Sequence, residues 1–415
     1  MFPLYSFIVH VYGVIIRIAA LKNKKAWQWV KGRKHWRDQL SEKKVKLNSD
    51  KIVWIHCASY GEFEQGRPLI EAVKTKHPDY KIVLSFFSPS GYEAFKNWGG
   101  AEVICYLPLD VKHNAQDFIE IVNPKVAIFI KYEFWVNYLF QLKKQQIPTF
   151  LVSAVFKPHH PFFKWYGSIF RKSLDTFDKL FIQDEASAKL LQSIGVDNYE
   201  ISGDTRFDRV LQIKNNFKPI DFFDRFCKNS QVIVGGSTWQ KDNELLVETF
   251  KQLNEKNLKL ILVPHEVDEK SIFQIEQFLR KNNLNYGLYS KHQMDEQTTV
   301  LVVDAMGLLS RIYHYATVTY VGGGFNSGIH NCLEPAVHLK PVLFHGGSDY
   351  QKYNEAVDLL NLQAAQNVED VAETKQAIFD LLHNENKLRD IESKLKTYFQ
   401  KNSGTTEKVM GLIKW

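Results

Sequence analysis

The sequence has few cysteines. Four occur in 415 residues, and Cys57, Cys105, Cys227 and Cys332 lie far apart, without the spacing of zinc ligands or of a disulfide framework. This scarcity argues against a disulfide-stabilised secreted domain and indicates a reducing compartment with free thiols. It also argues against a structural zinc site, so we expect no metal bound by the protein.

Excess positive charge is scarce outside one segment. Residues 1–50 contain eight lysines and three arginines against Asp38, Glu42 and Asp50, a balance of +8, whereas the whole chain carries +7. Residues 51–415 therefore carry −1. Because nucleic-acid-binding proteins usually present a basic face on their fold, this distribution argues against that class.

The N-terminal arm is apolar first and basic afterwards. Residues 2–21 are almost continuously apolar, broken by His10, Gly13 and Arg17, and residues 22–37 interleave cations with tryptophans. About twenty apolar residues span a bilayer, although an arginine inside it is costly, and tryptophan with cations suits an interface. We expect a membrane anchor that spans the bilayer or lies in its interface. The alternative is an amphipathic helix packed on its own domain.

After residue 50, short apolar runs alternate with helical patterns, which predicts an α/β fold with parallel sheets. The chain length indicates two domains. Strands are expected at residues 51–56, 81–87, 103–106, 126–131, 149–153 and 179–183, and then at 232–235, 259–263, 299–303, 318–321 and 342–344. The expected organisation is a basic arm at 1–50, a first domain at 51–208, a linker at 209–230, a second domain at 231–371 and a helical tail at 372–415 that packs back on the first domain.

In the first half, polar residues follow several strands, and ligands of parallel sheets bind at the carboxyl ends of strands. Glu62 falls at the start of a helix after Gly61, where spacing alone favours a cap over a proton acceptor. Glu133 follows another strand, with Trp135 as a packing residue, and His159 and His160 are interpreted as loop residues.

In the second half, three glycines at 322–324 separate a strand from a helix expected near Asn331. Such a turn lets an anionic ligand approach backbone N–H groups at a helix N-terminus, and Glu334 could accept hydrogen bonds from sugar hydroxyls. The spacing is not Gly-x-Gly-x-x-Gly, which disfavours a dinucleotide cofactor. The alternative is that the glycines only permit close packing of strand and helix.

Three more strand ends of this half carry polar or glycine turns. Ser237 and Thr238 can cap a helix or bind a phosphate, His265 follows the next strand, and Met306 and Gly307 follow the one after it. Several anion-binding turns at one sheet edge indicate a ligand more strongly than one turn does.

Taken in order, these motifs resemble those of the 3-deoxy-D-manno-octulosonic acid (Kdo) transferase family. His56-Cys-Ala-Ser-Tyr-Gly-Glu62 is similar to the family's His-x-x-Ser-x-Gly-Glu, and Gly203-Asp-Thr-Arg-Phe-Asp208 to its Gly-x-x-Lys-Phe-Asp. The other similar segments are Tyr132-Glu-Phe-Trp-Val-Asn137, Gly236-Ser-Thr-Trp239, Asp304-Ala-Met-Gly307, Val321-Gly-Gly-Gly324 and Gly328-Ile-His-Asn-Cys-Leu-Glu-Pro335.

The resemblance implies a GT-B fold, in which two Rossmann-like domains face each other across a cleft. It implies an inverting glycosyltransferase that moves Kdo from CMP-Kdo to a lipid A precursor, lipid IVA, in lipopolysaccharide core biosynthesis. The expected location is the cytoplasmic face of the inner membrane of a Gram-negative bacterium, against anionic lipid headgroups, with no cofactor, metal or nucleic-acid partner.

The resemblance also assigns roles to residues. Glu62 becomes the general base, which reverses the preference for a cap, and Glu334 the ribose ligand. The nucleotide-binding residues it implies are Ser237, Thr238, His265, Met306, Gly307, Gly323, Gly324, His330, Asn331 and Glu334. The acceptor-side candidates are Ser59, Glu133 and Lys157.

The sequence departs from the family at several of these positions. His265 stands where the family has a phosphate-contacting arginine, Trp239 replaces a histidine, and Lys157 lies in a segment that has lost another arginine. Two other functions stay open: a GT-B glycosyltransferase that uses a UDP-sugar, and a catalytically idle membrane-bound binding protein.

Overall fold

Buried runs of β-branched and aromatic residues form two parallel sheets in the computed structural model, which describes residues 3–326, 328–347 and 349–415. The chain divides into two units. Unit 1 comprises Met1–Arg209 and Asn402–Trp415, and unit 2 comprises Val210–Lys401.

Within the described residues, the sheet of unit 1 has seven strands in the order β3-β2-β1-β4-β5-β6-β7, all parallel. The strands are β1 (Ile52–Cys57), β2 (Lys81–Phe86), β3 (Val103–Tyr106), β4 (Val126–Ile130), β5 (Thr149–Ala154), β6 (Lys179–Ile182) and β7 (Tyr199–Ile201). The helices that follow the N-terminal arm are α4 (Tyr60–Lys76), α5 (Pro89–Phe95), α6 (Lys112–Val122), α7 (Val136–Lys144), α8 (Ser168–Leu174), α9 (Glu185–Gln192) and α10 (Thr205–Asn215). A 3₁₀ turn covers Pro161–Phe163.

The core of unit 1 lies on both faces of its sheet. Successive residues of β1 alternate between the faces, so Trp54 packs into one hydrophobic cluster and its neighbours Val53 and Ile55 pack into the other. All six residues of β1 are buried. Burial on both faces explains why the predicted strands are continuous apolar runs.

The N-terminal arm forms α1 (Pro3–Ala19), α2 (Lys24–Lys31) and α3 (Trp36–Leu47). One side of α1 packs on unit 1, where the Tyr5 hydroxyl donates to Asp110 at 2.5 Å and the Tyr12 ring stacks 6.3 Å from Phe87. Its other side exposes large apolar residues: Leu4, Phe7, Ile8, Val11, Val14, Ile15 and Ile18. Among the described helices, none has the length and apolar character needed to cross a bilayer.

Unit 2 has seven parallel strands in its described part, in the order β10-β11-β9-β8-β12-β13-β14. They are β8 (Gln231–Thr238), β9 (Leu258–Pro264), β10 (Tyr286–Leu288), β11 (Val300–Val302), β12 (Val318–Val321), β13 (Val342–Phe344) and β14 (Ala365–Asn367). Its helices are α11 (Asp221–Cys227), α12 (Gln240–Leu253), α13 (Glu269–Lys281), α14 (Leu309–Ile312), α15 (Leu333–Val337), α16 (Asn354–Asn361), α17 (Val371–Leu382) and α18 (Glu385–Asn402). Short 3₁₀ turns cover Tyr313–Tyr315 and Asp349–Lys352.

The parallel α/β architecture expected from the sequence is confirmed. Every predicted strand is present within a few residues of its predicted bounds. The sequence did not indicate the edge strands β7, β10 and β14, because three residues with incomplete burial make no recognisable apolar run.

Residues 209–230, predicted as a linker, contain the end of α10 and all of α11. Phe222, Phe223 and Phe226 of α11 are buried in a core cluster of unit 2, so this segment is part of a folded unit. The segment predicted as a helical tail, residues 372–415, is shared between the two units. α17 packs on α12 in unit 2, whereas α19 (Thr405–Leu412) packs on α4 in unit 1.

Candidate active site

Each sheet has a point where the direction of strand addition reverses, and ligands of open parallel sheets bind in the crevice formed there. In unit 1 the strands β2 and β4 lie on either side of β1, and in unit 2 the strands β9 and β12 lie on either side of β8. The ends of β1 and β4 therefore bound one crevice, and the ends of β8 and β12 bound the other. Most of the predicted site residues follow these strands.

Glu62 lies in the first turn of α4, directly after the end of β1. Its carboxylate accepts a hydrogen bond from the Ser59 hydroxyl. The side chain is partly exposed, and the described residues provide it with no cationic partner. The structure thus brings Ser59 and Glu62 together and leaves the carboxylate accessible. The Ser59 side chain makes no cap to the helix backbone, although it is the N-cap residue.

Glu133 lies in a buried hydrogen-bond network beyond β4. Only 6% of the residue is exposed, and its carboxylate contacts His56 Nε2 at 3.1 Å and accepts from Trp135 Nε1 at 2.5 Å. The other nitrogen of His56 bonds Ser85 Oγ at 2.8 Å. Trp135, interpreted from the sequence as packing, is a hydrogen-bond donor here.

Glu62 and Glu133 lie around the same strand end. Burial raises the pKa of the Cys57 thiol, and the carboxylates of Glu62 and Glu133 raise it further. Lys157, the third acceptor-side candidate, is half-buried after β5, where its backbone N–H donates to His160 Nδ1 at 3.3 Å.

A second polar network closes this crevice on the side of α10. Asp204 accepts from Gln65 Nε2 at 3.2 Å and from Arg206 Nε at 2.8 Å, and the Thr205 hydroxyl donates to the Gln65 carbonyl at 2.6 Å. Burial raises the pKa of the neighbouring Tyr132, and the Arg206 charge opposes that rise. Arg206 therefore places a guanidinium close to the edge that carries Glu62.

In unit 2, β8 ends in the two predicted hydroxyl residues. Ser237 has a left-handed backbone with φ of 52°, and Thr238 is buried. The Thr238 hydroxyl has no hydrogen-bond partner among the described residues. A buried polar atom without a partner is unusual, and a ligand oxygen or amide at this strand end would satisfy it.

The glycine turn after β12 is held by a buried carboxylate. Asp242 accepts from the backbone N–H of Gly323 at 3.0 Å, from the Tyr320 hydroxyl at 2.8 Å and from the Trp239 N–H at 2.9 Å. Burial raises the pKa of Asp242, and these hydrogen bonds oppose the rise. A Cβ on Gly324 would lie 1.2 Å from a backbone carbonyl oxygen, so this position requires glycine.

Trp239, His265 and His330 form an aromatic cluster at the same edge. The His265 ring stacks on Trp239 with centroids 4.8 Å apart and on His330 with centroids 4.5 Å apart. Burial, together with the His265 charge, lowers the pKa of His330 to about 4, so its ring is neutral near pH 7. Trp239 Nε1 donates to His330 Nε2 at 3.3 Å, and this bond leaves the ring proton on Nδ1.

The remaining predicted residues lie at the ends of β11 and β12. Asn331 precedes the N-cap residue of α15; its Oδ1 accepts from the Leu333 N–H at 3.1 Å, and its amide donates to Glu334 Oε1 at 3.3 Å. Glu334 is half-buried in the first turn of this five-residue helix. Met306 is 73% exposed, and Gly307 has φ of 80°. The strands β11, β9, β8 and β12 are consecutive in the sheet, so their ends share one edge.

Comparison with known proteins shows which family the chain resembles. A family model for 3-deoxy-D-manno-octulosonic-acid transferase (kdotransferase) matches residues 33–209. The 3-deoxy-D-manno-octulosonic acid transferase of Chlamydia muridarum is 27% identical over 383 residues, which cover 89% of this chain and 87% of that protein. The chain is therefore similar to Kdo transferases over most of its length.

Two further comparisons bear on this chain. A bifunctional glycosyltransferase/methyltransferase of Fusobacterium nucleatum is 26% identical over 88% of this chain, and the match spans 57% of that relative. The crystal structure of UDP-GlcNAc 2-epimerase from Neisseria meningitidis aligns with a TM-score of 0.63 at 12% identity over 87% of this chain and 98% of its own. That likeness concerns the fold alone. The similarity to Kdo transferases supports a glycosyltransferase.

Sequence reasoning missed three structural features of this site. His56 is the first residue of the segment His56–Glu62 that resembles the family, so a role for its side chain could have been expected from the sequence. No sequence pattern indicated the role of Asp242, because Trp239 stands at the start of the helix, where a capping pattern would have Ser or Thr. The bond between Trp239 and His330 joins residues 91 positions apart and depends on the packing of two strand ends.

Proposed function

We propose that this chain transfers Kdo from CMP-Kdo to a lipid A precursor, lipid IVA, with inversion at the anomeric carbon. Similarity to Kdo transferases supports the transfer of Kdo. The observation that carries the assignment of the base is the partly exposed carboxylate of Glu62 at the reversal point of the unit 1 sheet. Among the described residues its partner is a serine hydroxyl and not a cation.

In the proposed reaction, Glu62 accepts the proton of the acceptor hydroxyl while that oxygen attacks the anomeric carbon of Kdo. The bond from that carbon to the CMP phosphate breaks, and CMP leaves with the electron pair. Attack on the face opposite the leaving group inverts the configuration. The Ser59 hydroxyl orients the carboxylate through the hydrogen bond that it donates.

On the donor side, we propose that the edge formed by β8, β9, β11 and β12 binds CMP-Kdo. The unsatisfied Thr238 hydroxyl and the N–H group of Gly324 suit phosphate oxygens, and Glu334 suits the ribose hydroxyls. His330 presents a neutral Nδ1–H donor, and its neighbour His265 stands in place of the family's arginine.

The substitution Glu62→Gln tests the base. It keeps the shape and the contact with Ser59 but removes the proton acceptor, so the transfer rate should fall by about 10²- to 10⁴-fold. The measurement is mass spectrometry of lipid IVA incubated with CMP-Kdo and purified enzyme. The matched control is Glu71→Gln, farther along α4 in an ion pair with Arg67, and it should keep its activity.

Nucleotide binding tests the donor separately. CMP should raise the thermal unfolding midpoint and UDP should not, because a ligand that binds only the folded state stabilises it. Protection by UDP alone would favour a transferase that uses a UDP-sugar. Binding of CMP without any transfer by the unmodified chain would favour an idle binding protein.

We also propose that the chain works at the cytoplasmic face of the inner membrane. The exposed apolar side of α1 and the cations around α2 support contact with an anionic lipid surface. The triple variant Phe7→Ser, Ile15→Ser and Ile18→Ser should move the full chain from the membrane fraction to the supernatant. A variant with Phe273→Ser, an exposed apolar residue of α13, is the control. Equal membrane association of both variants would contradict the proposal.

A further inference from the structure

A basic cavity of about 570 Å³ lies between the N-terminal arm and the loop after β3. Its walls come from the ends of α1 and α2, the turn before α3, the first turn of α3 and residues 108–114. Residues 108–114 are the loop after the carboxyl end of β3 and the first residues of α6, so the cavity opens at the same edge of the unit 1 sheet as Glu62.

The cavity carries an excess of positive charge. Arg17, Arg33, Lys34 and Arg37 line it, and Asp38 is the one acidic residue of the lining, so four cations stand against one carboxylate. Converging cations around a cavity of this size favour an anionic ligand.

Arg33 is a fixed cation without a counter-ion. Its guanidinium donates to the carbonyls of Leu107 at 2.9 Å, Trp29 at 3.0 Å and Phe87 at 2.7 Å, and it lies 4.7 Å from the Tyr106 ring centroid. Burial lowers its pKa to about 9. No carboxylate in the described part of the chain pairs with it. A half-buried charge without a counter-ion is also disfavoured, and an anion in the cavity would lower that cost.

Two other cations of the lining point into solvent. The side chains of Arg17 and Lys34 are exposed and have no hydrogen-bond or ion-pair partner within residues 3–326, 328–347 and 349–415. Arg37 differs, because it donates to Asp117 at 2.6 Å and to Asn114 at 3.0 Å. Arg17 and Lys34 are therefore available to a ligand, whereas Arg37 is largely neutralised.

The N-terminus of α3 also faces this lining. Its N-cap residue, His35, has a left-handed backbone with φ of 53° and makes no side-chain cap. The first N–H groups of a helix have no partner within the helix, and the positive end of the helix dipole favours an anion there. His113 lines the cavity from the opposite wall.

An apolar surface adjoins the cavity. Arg17 belongs to α1. On the same helix, Val14, Ile15 and Ile18 are 50%, 58% and 64% exposed. A ligand that contacts both surfaces would combine an anionic head with apolar chains.

We propose that the basic cavity binds the phosphate group of a membrane lipid whose acyl chains lie along the exposed side of α1. Phosphate supplies the charge that Arg33 lacks and several acceptor oxygens for Arg17, Lys34 and the N–H groups of α3. The phosphate can come from bulk phospholipid or from the acceptor itself, and the second source rests on the proposed function.

The test compares two double variants of the full chain that remove the same charge. Arg17→Gln with Lys34→Gln removes cations of the cavity, and Lys24→Gln with Lys25→Gln removes exposed cations of α2 that do not line it. Binding is measured by co-sedimentation with phosphatidylcholine vesicles that contain phosphatidic acid. The control pair measures the general effect of charge at a surface, and the cavity pair should bind about tenfold more weakly than the control pair.

A second measurement distinguishes the two sources of phosphate. If the acceptor supplies the phosphate, the cavity pair raises KM for the phosphorylated acceptor in detergent but not for the dephosphorylated one. If bulk phospholipid supplies it, vesicle binding falls and both KM values stay unchanged. Equal effects of the two double variants in both measurements would overturn the proposal.

The vesicle measurement needs neither donor nor acceptor, so it stays informative if the chain transfers another sugar. Unchanged thermal unfolding, and retained binding in Arg17→Lys, verify that the fold is intact.

Discussion

Replacing Asp242 by alanine should loosen the glycine turn of unit 2 and destabilise that unit. The carboxylate accepts three hydrogen bonds, from the N–H groups of Trp239 and Gly323 and from the Tyr320 hydroxyl. The Trp239 N–H opens a helix and can reach water, but the other two donors lie in the buried interior. Each buried donor left without a partner costs about 1–3 kcal/mol, so Asp242→Ala should cost about 2–6 kcal/mol.

The variant Asp242→Asn tests the same position without the negative charge. Burial raises the pKa of Asp242, which means that the charged carboxylate is itself disfavoured at this place. A neutral amide escapes that penalty and keeps one acceptor oxygen, so Asp242→Asn should cost about 1–2 kcal/mol, less than alanine. Glu248→Ala, an exposed position on the same helix, should stay within about 0.5 kcal/mol of the unmodified protein.

Hydrogen exchange in increasing urea is the suitable assay, because a chain with two units need not unfold in one step. Exchange of peptides from residues 231–344 gives the free energy of unfolding of unit 2. Weaker binding of CMP should accompany the loss of stability, since the same turn supplies the proposed phosphate site. A cost of Asp242→Ala below about 1 kcal/mol, or a larger cost for asparagine than for alanine, would refute the assigned role of this carboxylate.

Three further predictions concern unit 2. Trp239→Phe removes the hydrogen-bond donor to His330 but keeps an aromatic ring, so the affinity for CMP measured by calorimetry should fall about fivefold while the fold is retained. Unchanged affinity would argue against a proton on Nδ1 of His330. Burial lowers the pKa of His338 from its ordinary 6.5 to about 4, so the unfolded state binds its proton first and stability should fall as the pH drops from about 6.5 to about 4. Thermal unfolding midpoints of His338→Gln should lose part of that pH dependence. Gly324→Ala should destabilise unit 2, because the added Cβ would collide with a backbone carbonyl. The control Gly411→Ala lies in α19 of unit 1, where a Cβ meets open space, and it should leave stability unchanged or slightly raised in the same denaturation assay.

The sequence alone predicted the architecture well, because strands buried on both faces of a parallel sheet need continuous apolar runs. The bounds of β3, β12 and β13 agree with the prediction to the residue. Edge strands such as β14, with the polar sequence Ala-Gln-Asn, depend on pairing with a neighbour and leave no such pattern. α11 was interpreted as linker because its polar neighbours obscured three phenylalanines whose burial depends on unit 2.

The site was predictable to the level of strand ends. Chain order placed polar residues after β8, β9, β11 and β12, and the rule that parallel strands end at one edge predicted that they lie together. The order of those strands within the sheet is a property of the crossovers, and the sequence pattern does not encode it. The role of Glu62 came from resemblance to a family, since spacing alone favoured a cap.

Local chemistry along the chain thus determined the strands, the turns and the residues available for catalysis and binding, because burial periodicity and backbone constraints act over a few neighbouring positions. Only the tertiary structure decided which of these residues contact each other. Arg33 donates to carbonyls 54 and 74 positions away, and Asp242 reaches a glycine 81 positions away. Such contacts result from the packing of whole elements around two sheets, where the satisfaction of buried polar groups depends on neighbours that are distant in sequence.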